Sequence, residues 1–223
     1  MMETDKGGIF GIKKPKGPTS HDIIDKLRQI TGIRKIGHAG TLDPAAQGIL
    51  VVAIGRKYTK KILKYKDQKK EYIATIRLGV VSDTDDLEGE VKKASSNQPQ
   101  KGDIENILPD FVGTITQKPP VYSAVKINGT PSHKLARRGE NPDPPPRRVT
   151  VKDIDLTSYE YPDIELTITS GPGVYIRSIA RDLGEKLGTG ALLADLTRRR
   201  VGDFNLENSY DLKSFQKEKP YIS

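Results

Sequence analysis

Apolar residues recur at helical spacing near the start of the chain. Within residues 21–30 they lie three or four positions apart, which predicts an amphipathic helix. Thr19 or Ser20 is placed to cap its first turn, and Gly32 is placed to end it. At residues 72–78 the pattern changes to a period of two with one uniformly apolar side, which predicts a half-buried strand.

The other apolar segments predict a chain of mixed strands and helices. Residues 48–55 form a continuous apolar run bounded by glycines, as expected of a buried strand. Further strands are predicted at 8–13, 113–117, 149–158 and 164–169, and helices at 103–111 and 175–187, while 192–201 fits either. Four prolines in residues 141–146 predict an exposed loop. We therefore predict an α+β fold in a single domain over residues 1–223.

Composition excludes several kinds of chemistry. Cysteine is absent from the 223 residues, which excludes thiol catalysis and thiolate metal sites. The three histidines are scattered, without the spacing of metal ligands. No apolar stretch approaches the roughly 18 residues of a membrane-spanning helix. We expect a soluble, cytoplasmic protein that contacts no membrane.

Basic residues outnumber acidic ones by 37 to 29, so the formal charge is +8. They concentrate in three segments, at residues 56–70, 137–148 and 198–200. If these segments converge, they form a groove that follows a phosphate backbone, and binding would be salt-dependent. The alternative is that they are solvated faces on unrelated sides of the protein.

Residues 37–48 stand out because three glycines and Asp43 share one short segment. Glycine permits close approach of the backbone to a ligand. Pro44 favours an extended conformation at Asp43, so a stiff loop presents the carboxylate. The alternative is an ordinary turn with a local side-chain hydrogen bond.

The segment G-H-A-G-T-L-D-P-A-A-Q-G-I-L at residues 37–50 resembles the catalytic motif of the bacterial tRNA pseudouridine-55 synthase family. Four other blocks are similar to that family, in the same order, at residues 14–20, 70–89, 119–139 and 171–184. Together the matches extend over about residues 9–202. The resemblance implies a pseudouridine synthase fold with a central, mainly antiparallel mixed sheet, flanking helices and a cleft across the sheet.

The resemblance implies that uridine is isomerised to pseudouridine at position 55 of the tRNA T-loop after the base is flipped out. Asp43 matches the carboxylate that attacks the flipped nucleotide, and Arg177 matches the arginine that pairs with it. Tyr72 matches the tyrosine that stacks on the base, and Tyr175 matches a second active-site tyrosine. The reaction rearranges one nucleotide, so neither a cofactor nor a metal is expected.

Other residues are expected to contact the RNA. His38 matches the family position that meets the opened loop, and Leu196 is assigned to the apolar wall beside the base. The predicted substrate contacts are Lys14, His38, Gly40, Leu42 and Leu196. The expected partner is the T-arm of tRNA, bound by a monomer without a guide RNA.

Two departures from the family accompany these matches. Family members usually continue into a small RNA-binding PUA domain, whereas residues 203–223 form only a short tail here. His133 stands where a tyrosine is common. We expect tRNA affinity to come from the catalytic domain or from a partner.

Three alternatives remain open at this point. The chain could be a non-catalytic protein that assists RNA folding. It could be a nuclease that holds magnesium through Asp83, Asp85 and Asp86. It could also be a guide-dependent relative that shares the catalytic loop, although the block at residues 83–89 favours the stand-alone branch.

Overall fold

The structure, a computed structural model, describes residues 7–222. Its contacts divide the described chain into two compact units. Residues 7–72 and 196–222 belong to unit 1, and residues 73–195 form unit 2. None of the helices in residues 7–222 combines the length and the apolar character that a membrane crossing requires.

Runs of consecutive strands are separated by helices, and the strand pairs are mainly antiparallel, which confirms the predicted α+β class. The strands are β1 (Gly8–Lys14), β2 (Ile36–Ala39), β3 (Gln47–Ile54), β4 (Lys70–Leu78), β5 (Val80–Val81), β6 (Lys92–Lys93), β7 (Gly113–Gln117), β8 (Lys126–Ile127), β9 (Thr130–Pro131), β10 (Arg147–Glu160), β11 (Asp163–Ser170), β12 (Ala191–Val201) and β13 (Phe204–Asn205). The helices are α1 (Ser20–Thr31), α2 (Arg56–Thr59), α3 (Lys101–Ile107), α4 (Ser132–Ala136), α5 (Ile176–Lys186) and α6 (Leu212–Glu218), with 3-10 turns at Ile62–Tyr65 and Leu108–Phe111.

Strand β3 is the centre of the sheet in unit 1. Strand β1 pairs antiparallel along one of its edges. On the other edge, β2 pairs antiparallel until its last residue, Ala39, which lies opposite Val51. Beyond that point β12 takes the same edge in parallel orientation, with Arg198 opposite Gly48. The sheet is therefore mixed, and it opens into a loop at residues 40–46, where β2 leaves β3.

The first helix has the caps that its sequence predicts. The Thr19 hydroxyl accepts from the Asp22 amide at 3.1 Å, and the Asp22 carboxylate accepts from the Thr19 amide at 2.8 Å. These reciprocal bonds satisfy donors that the first turn leaves open. Gly32 ends the helix with φ 71°, a conformation that glycine adopts without strain.

Both faces of β3 are buried, which confirms the strand predicted at residues 48–55. One face packs with α1 and α6 in a core that contains Ile12, Ile23, Ile24, Leu27, Leu50, Val52, Ile54 and Phe215. The other face lies in a second cluster with Ala39, Ile49, Val51, Ala53, Ile62 and Val201. A strand covered on both sides needs no polar alternation, so its sequence is a continuous apolar run.

Unit 2 is organised by four hydrogen-bonded strands in the order β4-β11-β10-β7. The β10–β11 and β10–β7 pairs are antiparallel. Residues 192–201, which fitted either element, belong to strand β12, and the helix predicted at 103–111 is α3 followed by a 3-10 turn. The proline-rich segment 141–146 is irregular as predicted, although Pro144 is buried in it.

Candidate active site

The predicted site residues are distributed over both units. Unit 1 contains Lys14, His38, Gly40, Leu42, Asp43, Tyr72 and Leu196, and unit 2 contains Tyr175 and Arg177. The two groups are described in turn.

The loop at residues 40–46 carries Asp43, and its first residues are held by a buried arginine. Arg198 is 2% exposed. Its guanidinium donates to the carbonyl oxygens of Gly40 at 2.9 Å, Thr41 at 3.4 Å and Ile49 at 2.8 Å. One side chain thus connects the start of the loop to the strand that follows it.

The residue before Asp43 is held by a buried serine. The Ser20 hydroxyl donates to the carbonyl oxygen of Leu42 at 2.9 Å and accepts from the Leu42 amide at 2.9 Å. Both residues are buried, so each bond also satisfies a group that water does not reach. The helix α1 N-terminus and the loop are joined at this point.

The residue after Asp43 is held by Lys14, which is 1% exposed. Its ammonium donates to the carbonyl oxygens of Pro15 at 2.9 Å, Pro18 at 2.8 Å and Pro44 at 3.2 Å. These bonds give Lys14 a role in positioning the loop. The predicted contact between Lys14 and substrate stays a prediction.

Asp43 lies in a turn whose two flanks are fixed. Its carbonyl oxygen accepts from the Ala46 amide at 3.1 Å. The residue is partly exposed, between the buried Leu42 and the partly exposed Pro44. The backbone at Asp43 is thus pre-organised, because little of its conformational freedom remains to be lost when substrate binds.

The position of His38 corrects one part of the sequence interpretation. The glycine-rich segment 37–48 was expected to form the loop that presents Asp43, but His38 lies in β2 opposite Val52. Its Nδ1 atom is buried and has no hydrogen-bond partner among residues 7–222. Burial lowers the pKa of His38 below its usual value, and the nearby charges of Arg198, His21 and Lys66 lower it further. A neutral imidazole follows at neutral pH.

A third buried cation, Lys70, lies close to the start of the loop. Its ammonium donates to the carbonyl oxygens of Lys66 at 2.8 Å and Gln68 at 2.7 Å. Burial, followed by repulsion from Arg198, lowers the pKa of Lys70 to about 8. A Cβ at Gly40 would lie 3.8 Å from Lys70 Cε and 3.5 Å from a terminal nitrogen of Arg198. The φ of +78° at Gly40 favours glycine there.

Tyr72 lies on β4 and Leu196 on β12, and both residues belong to unit 1. Tyr72 is 6% exposed and is on the same face of β4 as Lys70. Leu196 is 8% exposed and precedes Arg198 by two residues on β12, so both side chains are on one face of that strand. Base stacking by Tyr72 and a base wall at Leu196 stay predictions.

Arg177 lies in the first turn of α5, in unit 2. Its Nε is 3.6 Å from the carboxylate of Asp86, and the two side chains are 7% and 9% exposed. Its terminal nitrogens donate to the carbonyl oxygens of Thr84 at 3.0 Å and Tyr122 at 2.9 Å. The guanidinium is therefore fixed in orientation. The predicted pairing of Arg177 with Asp43 stays a prediction.

Tyr175 is held through its backbone by a buried glutamine. The side-chain amide of Gln117 donates to the Tyr175 carbonyl oxygen at 3.1 Å and accepts from the Tyr175 amide at 2.9 Å. Gln117 is 1% exposed. The guanidinium carbon of Arg147 lies 4.9 Å from the centroid of the Tyr175 ring. These contacts restrict the conformation of Tyr175, which directly precedes α5.

The acidic cluster that suggested a nuclease is engaged in other contacts. Asp85 forms an ion pair with Arg181 at 3.0 Å, and Asp86 pairs with Arg177. Burial raises the pKa of Asp85 to about 6, although the charges of Arg181 and Arg177 act in the opposite direction. Within residues 7–222, no group of three or more histidine, aspartate and glutamate side chains is arranged to hold a metal ion. The nuclease alternative loses its support.

Three positioning residues were missed in the sequence. Arg198 was assigned to a basic segment that could follow a phosphate backbone, Ser20 was considered only as a cap of the first helix, and Gln117 was not singled out. The signal for Arg198 was its spacing from Leu196, because residues two apart on a strand share a face. Ser20 and Gln117 gave no signal, since a single polar residue in an element does not show which way it points.

Two family models match the chain. The model of "TruB family pseudouridylate synthase (N terminal domain)" matches residues 28–176. The model of "tRNA pseudouridylate synthase B C-terminal domain" matches residues 177–221. The two matches are contiguous.

Curated relatives are similar over nearly the whole chain. The tRNA pseudouridine synthase B of Acaryochloris marina is 42% identical over 215 residues, which are 95% of this chain and 74% of the relative. The protein of the same name from Protochlamydia amoebophila is 46% identical over 201 residues, which are 90% of this chain and 76% of the relative.

Solved structures resemble the fold as well. One chain of a Cbf5-Nop10-Gar1 complex superimposes with a TM-score of 0.73 at 28% identity, over 99% of this chain and 59% of that one. The match to a chain of an H/ACA RNP bound to a substrate RNA containing 2'-deoxyuridine has a TM-score of 0.71 and 26% identity, over 99% of this chain and 58% of that one. This chain thus spans about three fifths of those solved chains. The family models and the curated relatives together establish that the chain belongs to the TruB family of pseudouridylate synthases.

Proposed function

We propose that this protein isomerises uridine to pseudouridine in tRNA, at position 55 of the T-loop, with Asp43 as the attacking carboxylate. The observation that carries the proposal is the fixed geometry around Asp43. The backbone on both sides of this residue is bound by Arg198, Ser20 and Lys14. Such rigid support is what a carboxylate needs in order to act as a nucleophile at a defined atom.

The proposed reaction breaks the bond between N1 of uracil and C1′ of the ribose, and joins C5 to C1′ after the base has rotated. The proton at C5 is released to solvent and N1 takes up a proton in exchange, while the bond that the Asp43 carboxylate forms with the nucleotide is broken again before product leaves, so the number of electrons does not change. The product is an isomer of the substrate, so the reaction consumes no second substrate. The nucleotide has to leave its stack before a carboxylate reaches it.

Each of the other site residues has a proposed part in this reaction. Tyr72 stacks on the flipped base in place of its lost neighbours, and Leu196 forms the wall beside it. Arg177 pairs with Asp43 and directs its carboxylate, while Tyr175 contacts the uracil. His38, Gly40 and Leu42 are the proposed contacts to the surrounding RNA, and Lys14, which is 1% exposed, is proposed to support them by holding the backbone of the loop.

We propose that the substrate is tRNA itself, bound through its T-arm by a monomer without a guide RNA, in the cytoplasm. The support is the name tRNA pseudouridine synthase B that the curated relatives carry. Salt titration of tRNA binding checks the electrostatic part of this proposal, since each neutralised phosphate steepens the loss of affinity with salt.

Release of tritium from tRNA labelled at C5 of uridine tests the proposed activity. Wild type is compared with Asp43→Asn, and Asp203→Asn is the control because it changes an exposed acid of the same unit. We expect release by wild type and by the control, and none by Asp43→Asn although it still binds tRNA. Release by Asp43→Asn at the wild-type rate would remove Asp43 from the mechanism. Absence of release by all three proteins, despite binding, would favour a role in RNA folding.

A further inference from the structure

The β2–β3 hairpin is interrupted by a side chain. Its antiparallel register ends where Ala39 lies opposite Val51. Continued pairing would place Gly40 opposite Leu50 and Thr41 opposite Ile49. Instead, the guanidinium of Arg198 from β12 lies between the two segments at this level. It donates to the carbonyl oxygens of Gly40 and Thr41 on one side and of Ile49 on the other.

We propose that Arg198 is a positioning residue for Asp43, which acts by holding the hairpin open where the catalytic loop begins. This inference rests on the proposed role of Asp43. The guanidinium supplies donors to Gly40 and Thr41 on one side and to Ile49 on the other. It thereby fixes the distance between the two ends of the loop, and with it the direction of Asp43.

The contacts of Arg198 distinguish it from a residue that binds RNA phosphate. The side chain is 2% exposed, and Nε and both terminal nitrogens donate to backbone oxygens. Its neighbour Arg199 is exposed, as expected for the opposite face of the strand. A phosphate at this strand would therefore contact Arg199 and not Arg198.

The geometry requires a guanidinium in particular. Three separate nitrogens in one rigid plane each donate to a different carbonyl oxygen, whereas the donors of lysine share a single nitrogen on a flexible stem and cannot hold two segments at a set spacing. The close approach of the strands also requires Gly48, because a Cβ there would lie 2.2 Å from the Arg198 carbonyl oxygen. A lysine at position 198 preserves the charge and loses the fixed spacing.

The kinetic test compares Arg198→Lys with wild type in single-turnover tritium release at saturating tRNA. We expect the rate to fall about 100-fold, as a displacement near 1 Å produces, while the Kd for tRNA stays within about twofold. The control is Arg34→Lys, an exposed arginine in the same unit, for which rate and Kd should both stay unchanged. A weaker Kd with an unchanged rate would make Arg198 a binding residue and overturn the proposal.

Chemical rescue separates positioning from a general loss of structure. In Arg198→Ala, added methylguanidinium should restore part of the lost rate, and methylammonium at the same concentration should not. Equal effects of the two cations would contradict the proposal. Failure of both Arg198 variants to fold would assign the residue to sheet stability and would also contradict it.

Amide hydrogen exchange tests the same inference without catalysis. We expect Arg198→Lys to accelerate exchange in residues 40–46 and to leave helix α5 of unit 2 unchanged. Unchanged exchange in the loop would overturn the role of Arg198. If wild type released no tritium, the proposed function would fail, and the exchange result would still decide whether Arg198 orders the loop.

Discussion

Ser20 and Leu42 are joined by two hydrogen bonds, because one hydroxyl donates to the carbonyl oxygen of Leu42 and accepts from its amide, each at 2.9 Å. The first residue of helix α1 thus holds the residue that precedes Asp43. This connection has a direct consequence for stability and for catalysis.

Ser20→Ala should destabilise the protein by about 1–3 kcal/mol, because it leaves a buried amide and a buried carbonyl without their partner. Urea unfolding measures this change, and Ser96→Ala is the control because Ser96 is exposed. We also expect slower tritium release from Ser20→Ala at temperatures where it is folded. Equal stability of the two variants would contradict the prediction.

Alanine substitutions at two glycines should have opposite effects on the stability of the protein. Gly48→Ala should be strongly destabilising, because its Cβ would lie 2.2 Å from the Arg198 carbonyl oxygen at a φ of +111°. Gly102→Ala should be neutral or stabilising by about 0.5–1 kcal/mol, since Gly102 is in helix α3 and no heavy atom lies within 4 Å of its added Cβ. Thermal unfolding of both variants checks the contrast, which equal shifts of Tm would refute.

Asp86→Asn should lower the free energy of unfolding by an amount on the order of 3 kcal/mol, because it removes the negative charge beside the buried Arg177 guanidinium. Asp110→Asn is the matched control. In its ion pair with Lys186, the lysine side chain is 48% exposed and that of Asp110 is 57% exposed. Asp110→Asn should therefore lower the free energy of unfolding by less than about 1 kcal/mol. Chemical denaturation at one salt concentration compares them, and a larger loss for Asp110→Asn would count against this account.

The lowered pKa of His38 predicts a pH dependence of stability. As pH falls below the usual value of 6.5, the unfolded chain binds a proton at His38 before the folded protein does. Wild type should therefore lose more stability than His38→Gln between about pH 7.5 and 5.5. Unfolding at both pH values measures the difference, and NMR titration of the imidazole reports its pKa directly. Equal losses in the two proteins would show that His38 titrates normally.

The sequence predicted those parts of the fold that depend on local patterns. The caps of α1 at Thr19 and Gly32, the buried strand β3 and the alternation of β4 all follow from spacing and turn chemistry. Residues 36–39 were missed as a strand because glycine and histidine next to a glycine-rich loop are typical of a turn. Residues 36–39 form a strand because they pair with residues 51–54 of β3. Pairing with a distant segment cannot be recognised from the local sequence pattern.

The candidate site was predicted less completely than the fold. The resemblance to a known family indicated Asp43 and Arg177, but the residues that hold the loop were not apparent. Whether a long basic side chain turns inward depends on the carbonyl oxygens it meets there. Those oxygens belong to residues far away in sequence, as in the contacts of Arg198 with Gly40 and Ile49.

Burial of cations changes how the net charge of this protein should be understood. Lys14, Lys70, Arg177 and Arg198 are each at most 7% exposed. Their charges belong to the formal surplus of +8, yet they face carbonyl oxygens, or the Asp86 carboxylate, inside the protein. The number of basic residues in the composition therefore exaggerates how many cations can contact a polyanion at the surface. Retention on a cation-exchange column should consequently be weaker than for a protein of equal formal charge whose basic side chains are all at the surface.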